Sequence, residues 1–174
     1  ATAALGPEEI AHSVRGIFRE QHNLTFRMAR VTGVDWTTKQ VAVDTGEPIA
    51  FDYLILAAGA VTNDFGVPGA REHALGLKSL EEAMAIRRQV MRQFERVDAD
   101  PALIEQGALT FVLVGGGPTG VEMAGALAEL FEHVLRRDFP RIPAGAARVI
   151  LLEAAERLLL PFHPSLSDNT LRAL

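Results

Sequence analysis

The feature that most constrains this sequence is a glycine-rich run that directly follows a short apolar segment. Residues 109–114 read Leu-Thr-Phe-Val-Leu-Val, and residues 115–120 read Gly-Gly-Gly-Pro-Thr-Gly. A continuous apolar segment of this kind is typical of a parallel strand that is covered on both faces. The residues that follow favour a helix from about Thr119 to Arg136. A strand, a G-x-G-x-x-G loop and a helix in this order predict a βαβ unit that binds a dinucleotide.

The three glycines of the G-x-G-x-x-G pattern each have a mechanical role in such a unit. Gly115 permits the tight turn, Gly117 lets the backbone approach a pyrophosphate, and Gly120 allows the helix to pack closely on the strand. The pyrophosphate would lie at the positive N-terminus of the helix. The remaining loop residues of this candidate cofactor site are Gly116, Pro118 and Thr119. The alternative interpretation is a glycine-rich turn without a ligand.

A carboxylate at the end of the next strand is the second half of this pattern. Residues 148–153 predict that strand, and Glu153 would accept a hydrogen bond from a ribose 2′-hydroxyl. Glu153 lies 33 residues after Gly120 (153 − 120), whereas about 20 is usual, and the irregular stretch 137–147 accounts for the excess. Because a carboxylate repels a 2′-phosphate, the pattern favours NAD(H) over NADP(H). The alternatives are a solvated carboxylate for Glu153 and either a phosphate ligand or an exposed charge for Arg157.

The first 60 residues have a different pattern. Pro7, followed by two glutamates, predicts a helix over residues 7–20. From Leu24 to Met28, and again at residues 41–43, apolar residues recur with a period of two, and residues 51–59 form an apolar segment that predicts a buried strand. Short turns at residues 35–40 and 46–48 would join these three strands into an antiparallel β-meander.

A long helix is predicted between the meander and the glycine loop. Ser79 and Glu82 have the spacing of a capping box, and apolar residues from Leu80 to Val97 recur at helical spacing. The predicted fold class is therefore α/β, with an antiparallel meander followed by a Rossmann-like βαβ unit.

Composition excludes several classes of function. The net charge of −5 argues against nucleic acid as a partner, because phosphate binding needs a basic surface. The sequence contains no cysteine, and its five histidines are dispersed. No disulfide scaffold or Cys-x-x-Cys redox pair can form within it, and we expect no metal site.

Several segments together resemble the type II NADH dehydrogenases, which are flavoproteins with two dinucleotide-binding domains in the pyridine nucleotide-disulfide oxidoreductase superfamily. Residues 115–125 resemble their second dinucleotide fingerprint, and residues 51–60 resemble the strand by which the chain leaves the FAD domain. Residues 63–69 and 77–83 resemble the crossing into the NADH domain. The resemblance implies a partial FAD-binding-type domain at residues 1–77, which contains the meander, and an incomplete NAD(H)-binding domain at residues 78–174.

The resemblance also implies a function for the complete protein. It implies hydride transfer from NADH to FAD and on to a quinone, as in a respiratory-chain enzyme. Glu122 would be a catalytic residue that faces the flavin and nicotinamide rings, with a favourable interaction with the helix dipole as the equal alternative. The backbone of Ala58 and Gly59 would approach the flavin, although a tightly packed strand end would show the same residues.

The family implies a cytoplasmic location at the inner face of the cell membrane, with peripheral membrane contact through segments outside this chain, and it leaves open a homodimer. Nothing like the family's FAD-binding glycine loop precedes Ala1, so we expect an internal part of the enzyme that is inactive alone. One alternative is a ferredoxin- or disulfide-reductase type of the same superfamily. The other is a non-catalytic NAD(H)-sensing domain.

Overall fold

The computed structural model describes residues 11–174, which divide into two compact units. The smaller unit comprises residues 11–61, and the larger comprises residues 62–174. The boundary between residues 77 and 78 that the family resemblance implies remains a prediction.

The smaller unit contains one short helix and an antiparallel sheet in the order β1-β2-β3. Its elements are α1 (Val14–Ile17), β1 (Val31–Asp35), β2 (Gln40–Val43) and β3 (Ile49–Ala50). The carboxylate of Asp35 accepts hydrogen bonds from the amides of Thr37 at 2.8 Å and Thr38 at 3.1 Å, and this closes the first turn. The turn places Asp35 opposite Gln40. The three-stranded antiparallel meander is confirmed.

Two of its strands lie elsewhere than predicted. Residues 24–28 are not a strand, and β1 begins at Val31, three residues after Met28. The turn explains this difference, because a tight hairpin pairs the residues directly before it with those directly after it. The predicted strand at residues 51–59 is also wrong. Within the described residues it has no strand beside it, and Tyr53 is 94% exposed and Ile55 89% exposed.

The predicted helix over residues 7–20 is only partly described. Residues 7–10 lie outside the described residues, and the described part is helical only from Val14 to Ile17. No apolar face of α1 is buried in this unit, and without such packing a short helix has little to stabilise it.

The larger unit alternates helices with two parallel strands. Its elements are α2 (Ala70–His73), α3 (Leu80–Ala99), a 3₁₀ turn (Pro101–Ile104), β4 (Thr110–Val114), α4 (Pro118–Glu129), a π-helical segment (Leu130–Leu135), α5 (Arg136–Asp138), β5 (Arg148–Leu152) and α6 (Pro164–Ala173). The predicted capping box of α3 is confirmed, with Ser79 and Glu82 each accepting from the other's backbone amide. Neither α2 nor α6 is predicted by the sequence pattern.

The two strands β4 and β5 pair in parallel, from Thr110 opposite Arg148 to Val114 opposite Leu152. The helical connection between them confirms the predicted βαβ unit. One face of this sheet packs on the core, where Phe94 of α3 has its ring centroid 5.4 Å from that of Phe131 and 5.5 Å from that of Phe139.

The other face of the sheet differs from the expectation of a strand covered on both sides. Val112 is 52% exposed, Val114 68% and Leu152 50%. Within residues 11–174, the face that contacts the aromatic core is the less exposed of the two. None of the helices in this range combines the length and hydropathy that a bilayer span requires.

Candidate functional site

The glycine loop forms a tight turn between β4 and α4. Gly115 has a φ of +111°, a conformation that residues with a Cβ rarely adopt. Its amide donates to the carbonyl of Leu152 at 2.8 Å, so the ladder between the two strands continues into the loop. A Cβ at Gly120 would overlap the carbonyl oxygen of Gly115 and would lie 3.4 Å from Leu151 Cδ1. The helix can therefore approach the strand this closely only with glycine at position 120.

Gly116 is buried and bound on both sides. Its amide donates to Glu153 Oε2 at 2.6 Å, and its carbonyl accepts from the amide of Leu159 at 2.8 Å. A Cβ at this position would lie 2.5 Å from Leu158 Cδ2 and 2.9 Å from Glu153 Oε2. A larger residue at position 116 would therefore require the side chains of Leu158 and Glu153 to shift.

Gly117 has a different environment. It is the N-cap residue of α4, with a φ of −74° and a ψ of −177°, and a Cβ built here would meet no atom within 4 Å. No side chain caps the N-terminus of α4, which opens with Pro118. The start of this helix therefore offers unshielded backbone amides to a ligand, and the positive end of the helix favours an anion.

Glu153 directly follows β5, as predicted, and its carboxylate lies against the loop. Oε2 accepts from Gly116 at 2.6 Å and Oε1 accepts from the amide of Ala155 at 2.7 Å. The hydrogen bonds from the backbone amides of Ala155, Gly116 and Ala154, in decreasing order, hold the pKa of Glu153 below its ordinary value. The side chain is exposed. An ionised carboxylate at the ends of two neighbouring parallel strands is well placed to accept from a ligand hydroxyl.

Glu122 is exposed on α4. Because the helix begins at Pro118, Glu122 is its fifth residue and belongs to the second turn, one turn later than a helix-start carboxylate. The dipole effect falls off within the first turn, so this placement weakens the purely electrostatic alternative. Its proposed catalytic role remains a prediction.

Ala58 and Gly59 belong to the smaller unit, where both are exposed and neither is part of a strand. Gly59 has a φ of +73°. The strand end in which both residues would pack tightly is not formed in this structure, and their approach to a flavin remains a prediction.

Arg157 is neither an exposed charge nor a free phosphate ligand, which were the two alternatives weighed from the sequence. Its side chain is half-buried, and Nη2 donates to the carbonyl of Leu160 at 2.6 Å, while Nη1 donates to Ser167 Oγ at 3.0 Å. The apolar residues 158–160 that follow Arg157 are the feature of the sequence that could have indicated its half-buried position. Its partner Ser167 lies on α6, which the sequence analysis did not predict.

A cleft in the larger unit lies at the start of β4, away from the loop that follows this strand. This cleft has a volume of about 340 Å³. Its polar lining residues are Gln89, Gln93, Arg96, Gln106 and Thr110. No sequence motif indicates a site there.

Comparison with known proteins supplies the family. The model of the pyridine nucleotide-disulphide oxidoreductases matches residues 1–174, which is the whole sequence. The chain belongs to this family. The resemblance seen in the glycine loop and the neighbouring segments is thus confirmed.

Among the pyridine nucleotide-disulphide oxidoreductases, similar proteins include two from Mycobacterium tuberculosis. The type II NADH:quinone oxidoreductase Ndh is 39% identical over 97% of this chain, and the type II NADH:quinone oxidoreductase NdhA is 37% identical over 100% of it. The chain spans 37% and 38% of the length of these two relatives.

A solved structure of the same kind is also similar. The structure of NDH2 from Plasmodium falciparum in complex with NADH matches 83% of this chain with a TM-score of 0.71 and 26% identity. The match covers 30% of that protein. The α/β architecture of the chain is therefore shared with a member of the type II NADH dehydrogenases.

Proposed function

We propose that this chain is the NADH-binding part of an FAD-dependent NADH:quinone oxidoreductase. The observation that carries the proposal is the 2.6 Å hydrogen bond between the amide of Gly116 and the carboxylate of Glu153. This bond holds the Glu153 carboxylate beside the start of α4 at one edge of the parallel sheet, which supports their roles as ribose acceptor and pyrophosphate site. Further support comes from the names of the two mycobacterial relatives and from the Plasmodium NDH2 structure, which contains NADH.

The residues present fit one half of a dinucleotide well. The pyrophosphate would lie against the backbone of Gly115–Gly117 and the first amides of α4, on the open side of Gly117. Glu153 has given one acceptor position of each oxygen to a backbone amide, and a carboxylate has about four such positions. The adenosine ribose 2′-hydroxyl would take one of the others, while a 2′-phosphate would be repelled.

The complete enzyme would need FAD as a second cofactor. Bound FAD would supply the redox chemistry that links oxidation of NADH to reduction of a quinone. In this chain we assign Glu122 to the face of α4 that is turned toward the two rings, and Ala58 with Gly59 to the backbone beside the flavin. The complete protein would contact the inner face of the cell membrane from the cytoplasm.

The role of Glu122 is tested in the complete enzyme with Glu122→Gln, which keeps the shape of the side chain and removes its charge. If the carboxylate acts on the reacting rings, flavin reduction by NADH slows about tenfold or more, equivalent to roughly 1.4 kcal/mol of barrier. Stopped-flow absorbance measures this rate. An unchanged rate would limit Glu122 to the surface of the helix.

Binding of NADH to the purified chain tests the proposal itself, by isothermal titration calorimetry with NADH and NADPH. We expect a single site for NADH, with a Kd between about 1 µM and 1 mM, the range of typical enzyme KM values, and weaker binding of NADPH. Glu153→Ala should weaken NADH binding and lower the ratio of the NADPH dissociation constant to the NADH dissociation constant. The reason is that the acceptor for the ribose hydroxyl and the charge that repels a 2′-phosphate disappear together.

Gly117→Ala provides the sharpest variant, with Gly125→Ala as its matched control. Both positions have no atom within 4 Å of the added methyl group, so both variants should fold. Only the methyl group at residue 117 lies where the pyrophosphate would approach, so NADH binding should fall at least about tenfold there and remain unchanged in the control. Absence of saturable NADH binding, or equal affinity in Gly117→Ala and the parent, would contradict the proposal.

Measurements on the complete protein distinguish an enzyme from an NAD(H)-sensing domain. If the complete protein is loaded with flavin and oxidises NADH in the presence of a quinone, the enzyme assignment stands. Saturable NADH binding without any electron transfer would instead favour an NAD(H)-sensing domain.

A further inference from the structure

The residues that follow β5 turn back and contact the glycine loop. We call residues 153–160 the return segment. Its Glu153 carboxylate accepts from the amide of Gly116, and the amide of its Leu159 donates to the carbonyl of Gly116. The side chain of Leu158 closes the remaining side of Gly116. Both backbone polar groups of the middle glycine are therefore bound by the return segment.

Two polar side chains hold the return segment in place. Arg157 donates to the carbonyl of Leu160 at 2.6 Å and to Ser167 Oγ at 3.0 Å. The Ser167 hydroxyl in turn donates to the carbonyl of Leu158. Ser167 is only 4% exposed, and it is the one buried residue of α6. Arg157 and Ser167 thus tie the carbonyls on both sides of Leu159 to α6.

The backbone between these two anchors is strained. Leu159 has a φ of +52°, a left-handed conformation that costs energy for any residue with a Cβ. Such a conformation persists only where the surrounding structure enforces it, and it often occurs at functional sites. Here the enforcing contacts are the hydrogen bonds of Arg157 and Ser167, and the result is that the Leu159 amide points at Gly116.

We propose that Arg157 and Ser167 are positioning residues for the dinucleotide-binding loop, an inference that rests on the proposed function. They act on the nucleotide through the return segment, which fixes Gly116 and with it the turn from Gly115 to Gly117. The guanidinium of Arg157 is committed to a backbone carbonyl and a buried hydroxyl. It therefore does not bind a 2′-phosphate, and it affects NADH and NADPH equally. Glu153, in contrast, changes the preference between the two.

Hydrogen exchange in the nucleotide-free protein tests the positioning role without relying on NADH. We compare Ser167→Ala and Arg157→Met with the control variant Arg172→Met. Arg172 lies on α6 and donates hydrogen bonds to Asp168 and Asn169 of the same helix. The Gly116 amide should exchange about tenfold faster in the first two variants and at the parent rate in the third. Ser167→Ala removes a single oxygen, so it decides the matter even if Arg157→Met unfolds.

Titrations of the same variants supply the second readout. NADH and NADPH should both bind about tenfold more weakly to Ser167→Ala and Arg157→Met, with the ratio of their dissociation constants unchanged, and Arg157→Lys should recover part of the loss. Unchanged Gly116 exchange would overturn the proposal, as would a selective loss of NADPH binding in Arg157→Met. A parent protein that binds no NADH would refute the proposed function alone, because the exchange experiment would still test the positioning role.

Discussion

Among the glycines of α4 and its loop, two identical substitutions should have opposite effects. Gly120→Ala places a methyl group onto the carbonyl of Gly115, so the helix must move and stability should fall by about 1–3 kcal/mol or more. Gly125→Ala adds a methyl group where no atom lies within 4 Å, and a helical alanine should raise stability by roughly 0.5–1 kcal/mol. Denaturant unfolding measures both. A loss of equal size in the two variants would refute the close approach at Gly120.

The carboxylate of Glu153 should make stability depend on pH. Its pKa is held below the ordinary value of 4.5, chiefly by the amide of Ala155 and then by that of Gly116. The contribution of Glu153 to stability is therefore fully present above pH 4.5 and is lost as the pH falls through the lowered pKa of the folded protein. Glu153→Gln cannot accept both amide hydrogen bonds, since one oxygen is replaced by a donor.

Thermal melts of the parent and Glu153→Gln across this pH range check the expectation. The difference in Tm should be constant between pH 6 and about pH 5 and should shrink at lower pH. Glu156→Gln, which alters an exposed glutamate of the same segment, should show no such change. A difference that stays the same down to about pH 3 would mean that the charge of Glu153 is not what the two amides stabilise.

At the scale of elements, the N-terminus of α3 offers a direct test of local sequence control. Ser79 accepts from the amide of Glu82 at 3.2 Å, and the Glu82 carboxylate accepts from the amides of Lys78 at 2.6 Å and Ser79 at 3.0 Å. Ser79→Ala should cost about 1 kcal/mol, because a backbone amide loses its partner. Glu81→Gln, in the same turn without a capping bond, should cost a few tenths. Equal costs would argue that the capping box contributes nothing beyond the helix dipole.

The elements that the sequence predicted correctly are those specified by nearby residues. The capping box defines α3 within four residues, and the glycine run is bounded by its own strand and helix. The ends of β4 and β5 follow, because the glycines and Glu153 terminate them. Position 116 shows what spacing alone misses. The motif identifies Gly116 only as a loop residue, whereas in the fold it contacts Leu158 and Glu153, more than 35 residues later, and both side chains would have to shift for a larger residue.

The elements that were misplaced depend on partners that a linear pattern does not reveal. Residues 24–28 alternate as a strand does, but the hairpin turn assigns its pairing to residues 31–35. Residues 51–59 are mostly apolar, as β4 is, yet no described strand pairs with them. Arg157 was assigned no structural role because its partner Ser167 comes from a helix with little apolar periodicity, so the contact exists only after folding.

At the scale of the whole molecule, the chain belongs to a known family, and the candidate NADH site is formed by residues of this chain alone. It belongs to the pyridine nucleotide-disulphide oxidoreductases over its full length and spans 37% of the type II NADH:quinone oxidoreductase Ndh. Its larger unit contains the glycine loop, Glu153, the return segment and α6. The proposed NADH contacts therefore all lie within one compact unit, so this unit should bind NADH without a contribution from residues 11–61.

NMR of the ¹⁵N-labelled chain during titration with NADH tests the glycine loop as the NADH site most directly. The amide signals of Gly115, Gly116, Gly117 and Gly120 should shift together and saturate at one equivalent, and that of Ala155 should follow because it shares Glu153 with the loop. Signals from the cleft around Gln93 and Gln106 should remain in place. Saturable shifts confined to that cleft, or no shifts at millimolar NADH, would contradict the assignment of the glycine loop as the NADH site.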